Sequence, residues 1–157
     1  MSAVLSADLR AGIERLAARY PRKAAALLPV LHVVQNDRGF IGPDEEAEVA
    51  VLLGIGPIEV REVVTFYTMF RRRPVGRRVV QVCSNLSCTL MGGERILDYL
   101  KKKLAIGVGE TTSDGRFTLT TVECLGACEQ APCLMIDFDY HGNLTEEKIV
   151  AILGGAA

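Results

Sequence analysis

The sequence predicts an α/β protein in two parts, a bundle of about four short helices followed by a domain with a small mixed sheet. Apolar residues recur at helical spacing as far as about residue 70, with glycine and proline between the helical segments. Beyond that point, segments rich in β-branched residues alternate with helical segments. The charged stretch RRRPVGRR separates the two patterns, so we expect domains at residues 1–73 and 74–157.

Four helices are expected in the first part. Ser6 precedes the first apolar-periodic segment and is suited to cap it. A second helix is expected over residues 22–36, with a bend at Pro29. The segments GPDEEAEVAVLLG and GPIEVREVVTFYTMF each place a proline, Pro43 or Pro57, where a first helical turn accepts one. Together these segments predict a small helical bundle.

The second part alternates strands and helices. VVQVC, FTLTTVEC and CLMIDFDY are predicted strands, and MGGERILDYLKKKL is a predicted helix. HGN is expected to form a turn before a last helix, TEEKIVAIL, which Thr145 can cap. This order predicts a small mixed sheet covered by helices.

Composition excludes several classes of protein. The chain has 157 residues, 49% of them hydrophobic, and a formal net charge of -1, so it lacks the basic field typical of nucleic-acid binding. Its longest apolar run, AAALLPVLHVV, falls short of the roughly 20 residues that span a bilayer. The first twenty residues resemble neither a signal peptide nor a transit peptide. We therefore expect a cytoplasmic chain, whose cysteines hold a metal or do redox chemistry rather than form disulfides.

Four of the five cysteines occupy places where predicted strands end and loops begin. Cys83 ends a strand and Cys88 lies in the following loop, while Cys124 ends a second strand and Cys128 lies in the loop after it. The pattern is C-x4-C, a long gap, then C-x3-C. The ends of strands in α/β sheets commonly build sites, so these thiols are candidate ligands.

Several kinds of chemistry compete for these four thiols. Zinc accepts both spacings, although its paired knuckles usually organise smaller folds. A dithiol oxidoreductase usually carries C-x2-C, which is absent from the sequence, and simple burial does not explain four thiols in glycine-flanked loops. A [2Fe-2S] cluster fits best because pairs of thiolates from separate loops can grip its two irons. Close backbone approach to an anionic cluster is favoured by three glycines, Gly92, Gly93 and Gly126.

Four runs, VVQNDRGF, EVREVVTFYTMF, VQVCSNLSC and ECLGACEQAP, resemble the family of peripheral iron-sulfur E subunits of bacterial NADH-quinone oxidoreductase, respiratory complex I. The mitochondrial flavoprotein 2 subunit is the counterpart of that family. The resemblance extends from about Tyr20 to Ile149 with the runs in the same order. It implies a thioredoxin-like [2Fe-2S] ferredoxin domain after the helical bundle.

The resemblance also implies a site and partners. Cys83, Cys88, Cys124 and Cys128 match the four cluster ligands of the family. The cluster would exchange single electrons with FMN on a flavoprotein partner that also binds NADH, so no catalytic residue is expected on this chain. A neighbouring iron-sulfur subunit is a further expected partner, and the complex would lie at the cytoplasmic face of the bacterial inner membrane. Similar modules occur in NAD-dependent formate dehydrogenases and NAD-reducing hydrogenases. A free ferredoxin and a metal-stabilised interaction module are further alternatives.

Cys133 departs from the family pattern, where an apolar side chain usually follows Ala-Pro. We expect it to be a buried hydrophobe that begins a strand, outside the ligand set, and a labile alternative ligand is the second reading. Pro132 stands where thioredoxin-like folds often carry a cis-proline.

Overall fold

A computed structural model describes residues 4–155, and the chain divides into two compact units between Pro74 and Val75. The first unit contains four α-helices, α1 (Ala7–Ala17), α2 (Leu27–Arg38), α3 (Pro43–Leu53) and α4 (Pro57–Phe66). The second unit contains β1 (Arg78–Cys83), α5 (Leu86–Leu90), α6 (Gly93–Leu104), β2 (Phe117–Val122), β3 (Leu134–Ile136), β4 (Asp139–His141) and α7 (Glu146–Gly155). The predicted fold class, a short helical bundle followed by a small mixed sheet with helices, is confirmed.

Local signals set the helix ends in the first unit. The Ser6 hydroxyl accepts a hydrogen bond from the Leu9 N–H at 3.2 Å, as its predicted capping role requires. Pro43 and Pro57 each occupy a first turn, where the missing N–H costs no helical hydrogen bond. Gly54 ends α3 with a φ of 66°, a conformation that glycine adopts without strain.

Two predicted boundaries in this unit were wrong. The segment expected to be one helix from residue 22 begins as a 3-10 turn, Lys23–Ala26, and becomes α-helical only at Leu27. Pro29 therefore lies in the first turn of α2, where a proline needs no bend. Helix α4 stops at Phe66 because Tyr67 turns to extended backbone, so the predicted continuation to residue 70 does not form.

Apolar side chains from all four helices meet in one core. Ile13, Val30, Val49 and Val60 come from successive helices and are each fully buried. Removing such side chains from water is the main favourable term in folding. The first unit therefore has a hydrophobic core of its own.

Glu48, on α3, holds the segment that precedes α1. One of its carboxylate oxygens accepts hydrogen bonds from the backbone N–H groups of Val4 and Leu5, at 2.9 and 3.2 Å. The other oxygen accepts a hydrogen bond from the guanidinium of Arg10 and forms an ion pair with it. Burial opposes ionisation of Glu48, but the two backbone hydrogen bonds and Arg10 together lower its pKa from the ordinary value.

The four strands of the second unit form one mixed sheet in the order β2, β1, β3, β4. The central strand, β1, runs parallel to β2 and antiparallel to β3, and β3 is antiparallel to β4.

The hydrophobic core of the second unit contains Val80, Leu119, Leu134 and Ile149, each at most 1% exposed. The Thr145 hydroxyl accepts from the Lys148 N–H at 3.2 Å, so the predicted cap of the last helix is confirmed.

The predicted strand CLMIDFDY is in fact two short strands. β3 ends at Ile136 and β4 begins at Asp139, with a tight turn between them at residues 137 and 138. Asp137 takes a φ of 54°, which aspartate tolerates better than most residues, and its carboxylate accepts from the Val79 N–H at 3.1 Å. His141 closes β4 rather than beginning a turn.

The chain between β1 and α6 also differs from its prediction. Cys88 lies in the short helix α5, not in an open loop, and Gly92 ends that segment with a φ of 89°. Gly93 then packs so closely that a Cβ there would lie 2.8 Å from the Cys88 carbonyl oxygen.

Among residues 4–155, no helix combines the length and apolar character needed to cross a bilayer.

Glu48→Gln should loosen the start of the chain, because an amide is a weaker acceptor than a carboxylate and carries no charge for Arg10. We expect a local loss of about 1–2 kcal/mol, seen as amide hydrogen exchange at Val4 and Leu5 that is roughly 5- to 30-fold faster. In the parent the protection should be full above the ordinary glutamate pKa of 4.5 and should fall as the pH drops toward the lower folded-state value. Glu14→Gln, at an exposed position of α1, is the matched control. Equal exchange in both variants would contradict the role given to Glu48.

Gly93→Ala should destabilise the second unit, because the added methyl group meets the Cys88 backbone and not a flexible side chain. A loss of about 1–3 kcal/mol is typical of such overpacking. Gly154→Ala is the control, since a Cβ there meets nothing within 4 Å and a helical alanine is preferred by up to about 1 kcal/mol. Urea unfolding followed by circular dichroism measures both changes, and an unchanged midpoint for Gly93→Ala would refute the contact.

Candidate metal centre

Two neighbouring parallel strands bring the predicted cysteine pairs to one edge of the sheet. In the register of β1 and β2, Cys83 pairs with Val122, the last residue of β2. Cys124 follows Val122 by two residues. Adjacent strands are about 4.8 Å apart. Because the two strands run in the same direction, the segments that carry Cys88 and Cys128 also begin at this edge.

The turn after β1 carries Cys88 back under the strand end. Asn85 caps α5 through its side chain, whose oxygen accepts from the Leu86 N–H at 2.9 Å. The Asn85 carbonyl accepts from the Thr89 N–H, also at 2.9 Å. Cys88, between these contacts, is 1% exposed, and the close approach of Gly93 supports its backbone. The second cysteine of the C-x4-C pair is therefore fixed by local hydrogen bonds and packing.

Three sulfur atoms meet in this buried corner. The Sγ atoms of Cys83, Cys88 and Cys133 all lie within 4.8 Å of one another, and those of Cys88 and Cys133 are 3.7 Å apart. Antiparallel pairing of β1 and β3 places Cys133 opposite Cys83, whose N–H donates to the Cys133 carbonyl at 3.2 Å. All three residues are at most 4% exposed. The corner is thus a compact, sulfur-lined site.

Of the four predicted ligands, the structure brings Cys83 and Cys88 together in this corner. Cys124 and Cys128 are exposed and stand outside the group of three. Cys133 is buried, as predicted, but its contact with the other thiols was not predicted. The signal was present, since VVQVC ends in a cysteine and CLMI begins with one, and antiparallel pairing sets such positions side by side.

Burial and hydrogen bonding act differently on the three buried thiols. Burial opposes ionisation of Cys83, yet N–H groups of Asn85 and Leu125 donate to its sulfur and lower its pKa overall. Burial raises the pKa of Cys88 despite a hydrogen bond from the Cys133 N–H. Burial, with the neighbouring Cys88 thiol next in effect, raises the pKa of Cys133 to about 12. Cys83 is consequently the thiol of this corner that the protein best supports as a thiolate.

The loop after β2 holds its cysteines differently. Gly126 has a φ of 70°, a conformation suited to glycine, and its N–H donates to the Cys124 sulfur at 3.3 Å. Cys128 opens a 3-10 turn, Cys128–Gln130, that leads to Pro132. The peptide bond before that proline is cis. This loop therefore presents two accessible sulfurs beside the buried corner.

The donor set fits an iron-sulfur cluster. Thiolates are the ligands that iron-sulfur clusters use, and backbone N–H groups that point at sulfur stabilise the negative charge of such a site. Here the N–H groups of Asn85 and Leu125 serve Cys83, and that of Gly126 serves Cys124. Both cysteine-bearing loops thus carry a sulfur and a donor suited to an anionic group.

Comparison with known proteins agrees with this chemistry. The sequence is 47% identical over 145 residues to the E 2 subunit of the NADH-quinone oxidoreductase of Rhizobium meliloti (strain 1021), a match that covers 92% of this chain and 86% of that protein. It is 43% identical over 142 residues to the E subunit of the NADH-quinone oxidoreductase of Mycobacterium tuberculosis (strain ATCC 25618 / H37Rv). That match covers 90% of this chain but spans only 56% of the longer relative.

A solved structure gives the fold. The chain is similar to a part of an NAD+-reducing [NiFe]-hydrogenase in its air-oxidized state, with a TM-score of 0.71 and 24% identity. The match covers 83% of this chain and 22% of that chain. The thioredoxin-like [2Fe-2S] ferredoxin family matches residues 13–157, which is most of the sequence. The chain belongs to the thioredoxin-like [2Fe-2S] ferredoxin family.

Proposed function

We propose that this chain is the electron-transfer subunit of the NADH dehydrogenase module of NADH-quinone oxidoreductase. Its one [2Fe-2S] cluster would exchange single electrons with FMN on a partner subunit. The two relatives above, at 47% and 43% identity, bear the name of that complex. The observation that supports the proposal is structural: parallel β1 and β2 end side by side, with Cys83 opposite Val122, so the segments that carry the two cysteine pairs begin at one sheet edge.

The proposed ligands are Cys83, Cys88, Cys124 and Cys128. A [2Fe-2S] cluster takes two thiolates per iron, and the two loops supply one pair each. The first pair is buried and the second exposed, so the site has a protein-facing and a solvent-facing half. An exposed half suits electron exchange with a partner, because a redox centre must come close to its donor.

Each group around the site has a role in holding charge. A bound cluster supplies one-electron chemistry, accepting or releasing one electron without bond changes in the protein. The four cysteine thiolates would bind the irons, and the N–H groups of Asn85, Leu125 and Gly126 would offset the negative charge of the site. Gly93 lets α6 approach the Cys88 turn and so keeps this side of the site closed.

The relatives' names support a place for this chain in a larger complex. We assign NADH and FMN to a flavoprotein partner, with a neighbouring iron-sulfur subunit as a further contact. Residues 1–73 form the proposed helical domain and residues 74–157 the ferredoxin domain, a division that the two compact units support. The complex would place this chain at the cytoplasmic face of the bacterial inner membrane.

A related oxidoreductase is the second candidate. The equivalent subunit of an NAD-reducing hydrogenase or an NAD-dependent formate dehydrogenase would use the same site with a different terminal reaction. The hydrogenase comparison, at 24% identity, supports the fold alone. The higher identity to the quinone oxidoreductase subunits favours the first candidate.

Serine at any proposed ligand position should reduce cluster content, because a serine oxygen is a harder donor than a thiolate. After anaerobic reconstitution, each single variant should contain at most about one tenth of the cluster found in the parent. The variants are Cys83→Ser, Cys88→Ser, Cys124→Ser and Cys128→Ser. Iron, acid-labile sulfide and the EPR signal of the reduced protein measure the cluster content. Cys133→Ser is the matched control and should assemble normally. Loss of the cluster in Cys133→Ser, with retention in Cys124→Ser, would overturn the ligand set.

Affinity purification of the tagged chain from its native membranes should recover a flavoprotein that contains FMN and oxidises NADH. Mass spectrometry of the co-purified proteins decides between the candidates, since quinone oxidoreductase subunits, a hydrogenase or a formate dehydrogenase would each be recognised. Recovery of the chain with its cluster and no partner would instead favour a free ferredoxin.

A further inference from the structure

We propose that Cys83, Cys88 and Cys133 form a second, mononuclear metal site that holds one thiophilic divalent cation, such as Zn²⁺, when the cluster is absent. The site differs from the proposed cluster site because it uses Cys133 and neither Cys124 nor Cys128. A water molecule or a small external thiolate would complete four-coordination.

The sulfur spacing matches two ligands of one tetrahedral ion. Zn²⁺ binds thiolates at about 2.3 Å in tetrahedral geometry, which places two sulfurs on the same ion about 3.8 Å apart. The Sγ atoms of Cys88 and Cys133 are 3.7 Å apart, and the Cys83 sulfur lies within 4.8 Å of both. A movement of the Cys83 side chain by less than an average bond length would complete the triangle.

The backbone fixes these sulfurs from three directions. Cys83 ends β1, and its N–H donates to the carbonyl of Cys133, the residue that precedes β3. Cys88 is held in α5, against the backbone at Gly93. None of these contacts involves the exposed loop that bears Cys124 and Cys128. That loop adds one further contact, from the Leu125 N–H to the Cys83 sulfur, but supplies no ligand of the three-sulfur site.

The surroundings favour a soft cation over a hard one. The corner is lined by three sulfurs and by apolar side chains, Leu125, Ala127 and Ala131. Soft thiolate ligands select zinc and copper(I), while magnesium and calcium require oxygen ligands. Binding releases the three thiol protons to solvent and leaves a site of formal charge -1 with Zn²⁺. The N–H groups that reach the sulfurs of Cys83 and Cys88 offset this charge.

The divalent cation and the proposed [2Fe-2S] cluster cannot be bound at the same time, because both need Cys83 and Cys88. A cation in the three-cysteine site withdraws one complete half of the proposed cluster site. The zinc-loaded chain should therefore resist cluster assembly until the cation is removed by a chelator.

Co²⁺ is the probe, since tetrahedral thiolate coordination gives it strong visible and near-ultraviolet absorption. The full-length, cluster-free chain is kept anaerobic and reduced and is titrated with Co²⁺, and then Zn²⁺ is added as competitor. We expect one equivalent to bind, with displacement by one equivalent of Zn²⁺. Cys133→Ser should weaken binding by more than about 100-fold, beyond what loss of an outer-shell partner costs. Cys133→Val fills the buried position without a donor and serves as a second variant if the serine protein is poorly folded.

The double variant Cys124→Ser/Cys128→Ser is the matched control. It should bind Co²⁺ within about threefold of the parent although it cannot assemble the proposed cluster. Full binding in Cys133→Val, or loss of binding in the double variant, would overturn the three-cysteine site. Failure of the proposed cluster set would appear separately, as normal iron and sulfide incorporation in the double variant.

Discussion

The central strand β1 is the element on which the rest of the second unit depends. It pairs with β2 on one side and β3 on the other, so its register fixes both neighbours at once. The parallel partner brings the loop of Cys124 to the end of β1, and the antiparallel partner brings Cys133 there. A slip of one residue would turn Cys83 to the opposite face of the sheet and separate it from every other thiol.

The buried corner explains why the stretch ECLGACEQAPC contains both exposed and buried thiols. Cys124 and Cys128 lie in an exposed loop, while Cys133 is buried and immediately precedes β3. Both proposed sites use the buried pair Cys83 and Cys88. The proposed [2Fe-2S] cluster would add Cys124 and Cys128 from the exposed loop, whereas the proposed single cation would add Cys133.

Much of this arrangement follows from local sequence signals. Ser6, Pro43, Pro57 and Thr145 act where local chemistry alone requires them, so the helix starts could be predicted. The break of CLMIDFDY into two strands could not, because it depends on Asp137 accepting from Val79, a residue 58 positions away. Cys133 is brought beside Cys83 by the pairing of β1 with β3 across a long stretch of chain, and the sequence shows only that each of these two segments has a cysteine at its end.

The turn at Asp137 has a consequence for the opposite end of β1. The Asp137 carboxylate accepts from the Val79 N–H and meets the guanidinium of Arg78, while its own N–H donates to the Val79 carbonyl at 3.0 Å. These bonds anchor the first residues of β1, and the strand carries that alignment to Cys83. The loss of chain entropy needed to gather the thiols is therefore incurred during folding of the sheet. A metal that binds to this preorganised site need not supply free energy for folding, so its binding free energy appears as affinity. In a zinc finger, the free energy of metal binding must also fold the protein.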